Sequence, residues 1–273
     1  MSETRFVDVR RFASIDSTNR YLLDEARAGA KEGVVAVADH QTAGRGRLGR
    51  TWQAPSGANL LLSVLLRPSV PADERHLVTA AVALAATDAI AAQGWTTIDT
   101  SGPEPLRIGI KWPNDLVAPD GRKLAGVLAE ADLSSGSAEM PPPVVVGIGI
   151  NLNWPASDDD LPPELRGAAT SLRQLTGSPV DRDVLLEGFL DRLEVRVVAL
   201  DMADGRASLA DALRSGCTTL GTRVRVELPD GSFEGTATGI TPEGHLVVDV
   251  DGERRTVVAG DVVHVRPGVY PGT

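Results

Sequence analysis

The sequence predicts a mixed helix-and-strand unit over residues 1–216 followed by a small all-β unit over 217–273. Three observations carry this. Short β-branched or leucine-rich runs at 34–39, 60–66, 107–111, 123–131 and 144–150 have strand length and strand composition. Two much longer segments, 72–93 and 181–200, have helical length. Beyond Gly216, short runs alternate apolar and polar positions between tight turns, the texture of an antiparallel all-β unit.

Taken in order, a first helix starts at Ser17 and Thr18, which can cap it, and ends near Gly29. The run 34–39 reads as a buried strand. Residues 40–58 carry Gly44, Gly46, Gly49, Gly57 and Pro55 and read as one long loop. The run 60–66 is the next strand, and 72–93 is a helix stopped by Gly94. Its centre, 78–92, is the most apolar stretch of the chain. Thr79, Thr87 and Asp88 interrupt it and it falls short of a membrane span, so it reads as a buried helix. Residues 99–105 form a surface loop. Pro119-Asp120-Gly121 is a turn between the strands 107–111 and 123–131. Residues 134–143 form a second loop, expected to be mobile. An amphipathic helix covers 181–200, and a shorter one runs to about Arg214. Four strands follow at 223–228, 233–240, 245–250 and 254–258. Turns at Pro229-Asp230-Gly231, Pro242-Glu243-Gly244 and Asp251-Gly252 separate them, a spacing that argues for a small antiparallel barrel.

Charge and composition exclude several classes. The chain has 273 residues, 27 Lys plus Arg and 37 Asp plus Glu, a formal charge of −10. Nucleic-acid affinity rests on neutralising phosphates, so a general polyanion binder is not expected. Cys217 is the only cysteine, which forbids an intrachain disulfide and fits a reducing cytoplasm. His40, His76, His245 and His264 are scattered, without metal-ligand spacing, so no zinc site is expected. Residues 1–11 are charged and lack the apolar core of a secretory signal.

The most informative segment is Gly44-Arg45-Gly46-Arg47-Leu48-Gly49-Arg50-Thr51-Trp52. Its glycines allow close backbone approach, and its arginines offer forked donors to phosphate or carboxylate. A solvated loop that binds nothing is the plain alternative. The spacing Gly44-x4-Gly49-Arg50-Thr51 nearly matches a phosphate-binding P-loop, but Arg50 stands in place of the lysine. Helix breakers follow where that motif must open a helix, so the P-loop is rejected. Gly147-Ile148-Gly149 also follows a strand, yet Leu152 occupies the place of the third glycine of a dinucleotide fingerprint.

With five further segments this loop resembles the biotin–protein ligases. They are Ser17-Thr18-Asn19, Gln41-Thr42, Lys111-Trp112-Pro113-Asn114-Asp115, Arg122-Lys123-Leu124-Ala125-Gly126-Val127-Leu128, and Gly147-Ile148-Gly149-Ile150-Asn151. The resemblance covers roughly residues 14–200 plus a C-terminal unit of the expected kind. It implies an α+β fold, a mixed sheet with helices packed against it, and an SH3-like C-terminal barrel.

The resemblance also implies roles. Ser17, Thr18, Asn19 and Gln41 hydrogen-bond the neutral ureido ring of biotin; read alone, the first three are a helix cap. Gly44, Arg45, Gly46 and Arg47 belong to the loop over biotin. Arg47, Arg50, Trp52, Lys111, Asn114, Lys123 and Asn151 contact ATP or the adenylate, Trp52 as an aromatic wall for adenine. Lys111, Asp115, Lys123 and Arg47 lie at the reaction centre. For Asp115 two roles stay open, orienting the incoming carrier lysine or holding Mg²⁺; read alone, Asn114-Asp115 is a turn. Lys123, by default a surface lysine, is placed against the biotin carboxylate and the α-phosphate, where two approaching anions need a positive charge. Gly126 lets its strand approach the ligand closely.

The implied reaction is ATP-dependent activation of biotin to biotinyl-5′-AMP, then transfer to a lysine of a biotin carboxyl carrier domain of a carboxylase such as acetyl-CoA carboxylase. Only sixteen residues precede Ser17, too few for a helix-turn-helix, so a ligase without DNA binding is expected, in the cytoplasm and off the membrane. A lipoate–protein ligase is the enzyme alternative, and a non-catalytic biotin- or nucleotide-binding regulator the alternative of another class.

Overall fold

The computed structural model describes residues 4–98, 104–132, 141–229, 231–258 and 260–264. Seven strands form the main sheet: β1 (Val9–Phe12), β2 (Val35–Ala38), β3 (Leu60–Leu66), β4 (Gly109–Lys111), β5 (Asp115–Val117), β6 (Lys123–Ala131) and β7 (Val144–Ile150). Their order is β1-β2-β3-β7-β6-β5-β4. Only β1 and β2 run parallel, and the remaining pairs are antiparallel, so the sheet is mixed as expected.

Helices cover both faces of this sheet. Helix α1 (Thr18–Arg27) packs Leu22 and Ala26 against Ala36, Leu65 and Val145. The alternate residues Val35, Val37, Val64 and Leu66 turn to the other face and meet helix α2 (His76–Ala92). Strand residues alternate faces, and with both faces covered every residue of β3 is buried. Behind α2 lie α4 (Arg182–Leu200) and α5 (Ala203–Gly216). The short α3 (Leu172–Thr176) follows the sheet and ends at Gly177, whose φ of 73° suits a left-handed cap. Ser17 caps α1 by accepting from the Arg20 amide, and Asp181 caps α4 by accepting from Asp183 and Val184.

Several expectations shift. Residues 72–74 are a 3-10 turn, and α2 starts only at His76. Strands β1 and β5 were not expected, so the Pro119-Asp120-Gly121 turn joins β5 to β6. Of the expected loops, 99–103 and 134–140 lie outside the described residues, as does Asp230 of one turn.

The C-terminal unit holds β8 (Arg223–Leu228), β9 (Gly231–Ile240), β10 (Leu246–Val250), β11 (Glu253–Val257) and the unexpected β12 (Asp261–His264). The expected barrel is an open antiparallel sheet, in the order β11-β10-β9-β8-β12. No ladder joins the edge strands β11 and β12 among the described residues. Closure is not needed to bury this sheet's apolar face. Val224, Val226, Ile240, Leu246 and Val248 share one contiguous core with Leu77 and Trp112 of the main unit.

Candidate active site

A cavity of about 580 Å³ opens over β6 and β7, bounded by the start of α1 and by the glycine–arginine loop. At one end the loop before α1 and the start of α1 present Ser17, Thr18 and Asn19, all buried, together with Gln41. Gln41 Oε1 accepts from the Thr18 amide at 2.9 Å. Asn19 Nδ2 donates to the Leu128 carbonyl at 3.1 Å and to Glu130 at 2.8 Å. This end is polar but carries no net charge among the four.

The floor is built on glycines. A Cβ at Gly149 would stand 2.7 Å from the Trp52 ring, and one at Gly126 would stand 3.3 Å from that ring and 3.2 Å from Lys123 Nζ. The expectation for Gly126 was close approach of a ligand; here the side chains of Trp52 and Lys123 use that space. Trp52 Nε1 is buried and has no hydrogen-bond partner among the described residues. Lys123 Nζ lies 5.7 Å from the centroid of Trp52, a cation–π distance, and 2.7 Å from Asp115 Oδ1. The ladder explains the ion pair: Asp115 on β5 registers with Gly126 on β6, and Lys123 opens the same β6.

The loop's arginines divide between the two ends: Arg45 shares Glu130 with Asn19 at the head end, and Arg47 and Arg50 define the opposite end. Arg45 pairs with Glu130 at 3.2 Å. Arg47 donates to Asn114 Oδ1 at 3.1 Å and to the Gly260 carbonyl at 2.9 Å. Arg50 pairs with Asp261 at 2.6 Å. Burial lowers the Arg47 pKa from its ordinary value, opposed by Asp261 and Asp115 and assisted by Arg50. The result is a cavity with a neutral hydrogen-bonding end, an apolar middle and a cationic end. It suits an elongated ligand with an uncharged polar head and an anionic terminus.

Ser17, Thr18, Asn19, Gln41, Arg45, Gly46, Arg47, Arg50, Trp52, Asn114, Asp115, Lys123, Gly126 and Asn151 all line this cavity. Two expected residues do not. Gly44 instead permits a tight backbone crossing, since a Cβ there would stand 2.5 Å from the Trp52 carbonyl, and the Gly44 carbonyl accepts from the Trp52 amide. Lys111 pairs with Asp115 across the ladder, yet it lies outside the lining. It sits beside His264, whose pKa is lowered by burial and then by that ammonium.

Sequence reasoning missed further residues. Asn59 is buried and donates to Asn151 Oδ1 at 3.1 Å, while its own oxygen accepts from the Leu152 and Trp154 amides. Ser63 reaches Thr18 and Asn19. Trp154, Leu161, Pro162 and Leu165 supply an apolar wall. The available signal was a lone Asn and a lone Ser in and before an otherwise apolar strand. Among the described residues no group of three His, Cys, Asp or Glu side chains could hold a metal ion.

Comparison with known proteins agrees with this geometry. The profile of the Biotin/lipoate A/B protein ligase family matches residues 11–151, and that of the Biotin protein ligase C terminal domain matches residues 219–265. A biotin–[acetyl-CoA-carboxylase] ligase of Mycobacterium tuberculosis is 39% identical, over 93% of this chain and 88% of that protein. One of Paracoccus denitrificans is 32% identical, over 92% and 98%. A biotin protein ligase of Aquifex aeolicus, solved with biotin and ATP, superposes with a TM-score of 0.75 at 26% identity, covering 96% of this chain and all of that one.

Proposed function

Because this chain belongs to the biotin/lipoate A/B protein ligase family, we propose that it activates biotin with ATP and transfers it to a lysine of a carboxylase's biotin carrier domain. The carrying observation is the polarity gradient of this cavity, from the uncharged Ser17, Thr18, Asn19 and Gln41 to Lys123, Arg47 and Arg50. Biotin has that polarity: a neutral ureido head, a hydrocarbon tail and a carboxylate.

The carboxylate attacks the α-phosphorus of ATP, forming biotinyl-5′-adenylate and releasing pyrophosphate. The carrier lysine amine then attacks the acyl carbon and AMP leaves. Both reactants of the first step are anions, so the protein's part is to hold them together and neutralise them. Lys123 is placed for this; its charge is offset here by Asp115, which an incoming anion would replace in part. Arg47 and Arg50 cover the phosphate. Trp52, already over the floor glycines, and the wall at Trp154 and Leu161 bracket the adenine. Asn114 and Asn151 hold the nucleotide. Lys111, outside the lining, serves the approaching carrier more readily than the nucleotide.

Magnesium is read as arriving with the nucleotide. Such an ion takes one or two protein carboxylates and draws its other ligands from phosphate and water, and Asp115 is the candidate carboxylate. The alternative role for Asp115 is to accept the proton that the carrier lysine gives up, freeing the amine for attack; supplying preformed biotinyl-5′-adenylate to Asp115→Asn separates the two roles, since carrier labelling then slows only if Asp115 acts on the lysine. The proposed location is the cytoplasm, which the lone Cys217 fits.

The test is pyrophosphate release by purified protein, with biotin or lipoate, with and without a carrier domain. Release with biotin and ATP, and carrier labelling on addition of the domain, is expected. Equal turnover of lipoate would remove the biotin assignment, and binding without turnover would make the chain a regulator.

A further inference from the structure

We propose that Ser63, buried on β3 behind the cavity, is a positioning residue that sets the direction of the hydrogen bonds at the head end, so that Thr18 meets the ligand as an acceptor.

The argument is an accounting of protons. Asn19 Nδ2 lies 3.1 Å from the Leu128 carbonyl and 2.8 Å from a Glu130 carboxylate oxygen. Arg45 pairs with that carboxylate, 3.2 Å away. Both neighbours are acceptors only, so the NH₂ end of Asn19 must face them and Oδ1 must face Ser63, at 2.6 Å. Oδ1 carries no proton, so the single Ser63 proton occupies that contact. Ser63 Oγ is also 2.7 Å from Thr18 Oγ1. Having spent its proton, Ser63 can only accept there, so the single Thr18 hydroxyl proton goes to Ser63 at 2.7 Å rather than to Gln41 Oε1, its other acceptor, at the longer 3.1 Å.

Thr18 Oγ1 therefore has lone pairs only for its other neighbours. Gln41 Oε1 stands 3.1 Å from it. That oxygen is held in place by the Thr18 amide at 2.9 Å, which fixes the amide group of Gln41 the same way round. Two acceptor oxygens 3.1 Å apart, both lining the cavity, have no proton between them. The group that completes such a pair is a ligand N–H. Built-in space makes the arrangement possible: Gly147 is the cross-strand partner of Ser63, and a Cβ on it would collide with Asn19 Oδ1.

The inference rests on the biotin reading, since the ureido ring supplies the N–H. Its test uses biotin and the two cyclic carbamate analogues in which one or the other ring N–H is replaced by oxygen. KM and kcat are measured by pyrophosphate release for wild type, Ser63→Ala and Ser63→Cys. In wild type an oxygen facing two acceptors should raise KM about 10–100-fold for at least one analogue, the range of an unpaired buried hydrogen-bonding group. In Ser63→Ala the Thr18 proton is released, to Gln41 Oε1 3.1 Å away or to a ligand oxygen in the cavity, so the two oxygens no longer face the ligand without a proton. The ratio of analogue to biotin KM should then fall about tenfold, with the change carried by KM rather than kcat. Ser63→Cys, with a weak S–H of similar size, should lie between the two, and it decides the matter should Ser63→Ala fail to fold. A structural role alone would alter all three ligands alike. A ratio unchanged in the folded variants, or no discrimination by wild type, overturns the role of Ser63 while leaving biotin turnover standing. A wild type that does not turn over biotin overturns both.

Discussion

At the scale of single residues, Lys123 separates legible chemistry from illegible. It stands in a recognisable segment, and the structure brings its ammonium to 2.7 Å from Asp115 at the edge of the cavity. Both partners are partly exposed, so their pairing contributes little to stability. Lys123→Ala should therefore leave the unfolding midpoint within a degree or two of wild type. Biotin-dependent pyrophosphate release should slow about 10–100-fold, the range of one charge-assisted hydrogen bond. An unchanged rate would make Lys123 a surface lysine after all. The polar residues facing the cavity were readable because each sits in a motif. Asn59 and Ser63 were not: one asparagine and one serine within an apolar run carry no periodic signal, and their meaning arises only when the fold sets them against Asn151 and Asn19. Lys111 shows the opposite case: it stands in a recognisable segment, but its strand carries it outside the lining and toward His264.

At the scale of elements, long periodic segments were legible and short ones were not. Helices α2 and α4 and strands β3, β6 and β7 announce themselves by length or by unbroken apolar runs. Strand β1 reads Val-Arg-Arg-Phe, and β5 has three residues, so sheet pairing rather than local propensity makes them strands. The glycine–arginine loop was legible as a loop, yet its arginines are not left to repel one another. Each finds an anionic or carbonyl partner, on Glu130, Gly260 or Asp261. Those contacts are weak individually. Arg45 and Arg50 are largely exposed, and exposed ion pairs are worth roughly 0–1 kcal/mol each. Leu48, at φ 55° and 72% exposed, adds a left-handed cost of about 1–2 kcal/mol. The loop thus belongs to the low-stability end of the molecule. Amides of residues 44–52 should exchange hydrogen fast in the free protein and markedly slower with biotin and ATP, while amides of β3 do not change. Equal exchange with and without ligand would mean that the loop does not close over it.

At the scale of the whole molecule, the C-terminal strands were legible, but their attachment to the rest was not, because sequence spacing says nothing about what covers a sheet's face. The attachment is a small aromatic cluster. Trp112 Nε1 donates to the Gly244 carbonyl at 3.0 Å, and the Trp112 amide donates to Thr219 at 3.0 Å. His76, at the start of α2, stacks on Trp112 with centroids 5.3 Å apart, and its ring lies 6.2 Å from that of His245. His76 Nε2 is buried and has no hydrogen-bond partner among the described residues. Burial, then His245 and Arg47, pull the His76 imidazole down from 6.5 to about 4. The unfolded chain therefore binds a proton at a pH where the folded chain does not. A group with a depressed folded pKa contributes stability that is present above its unfolded value and lost as pH falls through its folded value. Here the window runs from about pH 6.5 down to about 4, and the full difference is about 3 kcal/mol at 1.36 kcal/mol per unit. His76→Phe keeps an aromatic ring against Trp112 and cannot charge. In denaturant unfolding at pH 7 and pH 4.5, wild type should lose about 2–3 kcal/mol more than His76→Phe, by the same linkage relation. Because the cluster ties the two sheets together, a fluorescence probe on Trp112 and a label on β10 should report that loss at the same denaturant concentration. Equal losses in the two proteins would show that His76 is protonated in the folded state without penalty, and that the contact between the sheets tolerates its charge.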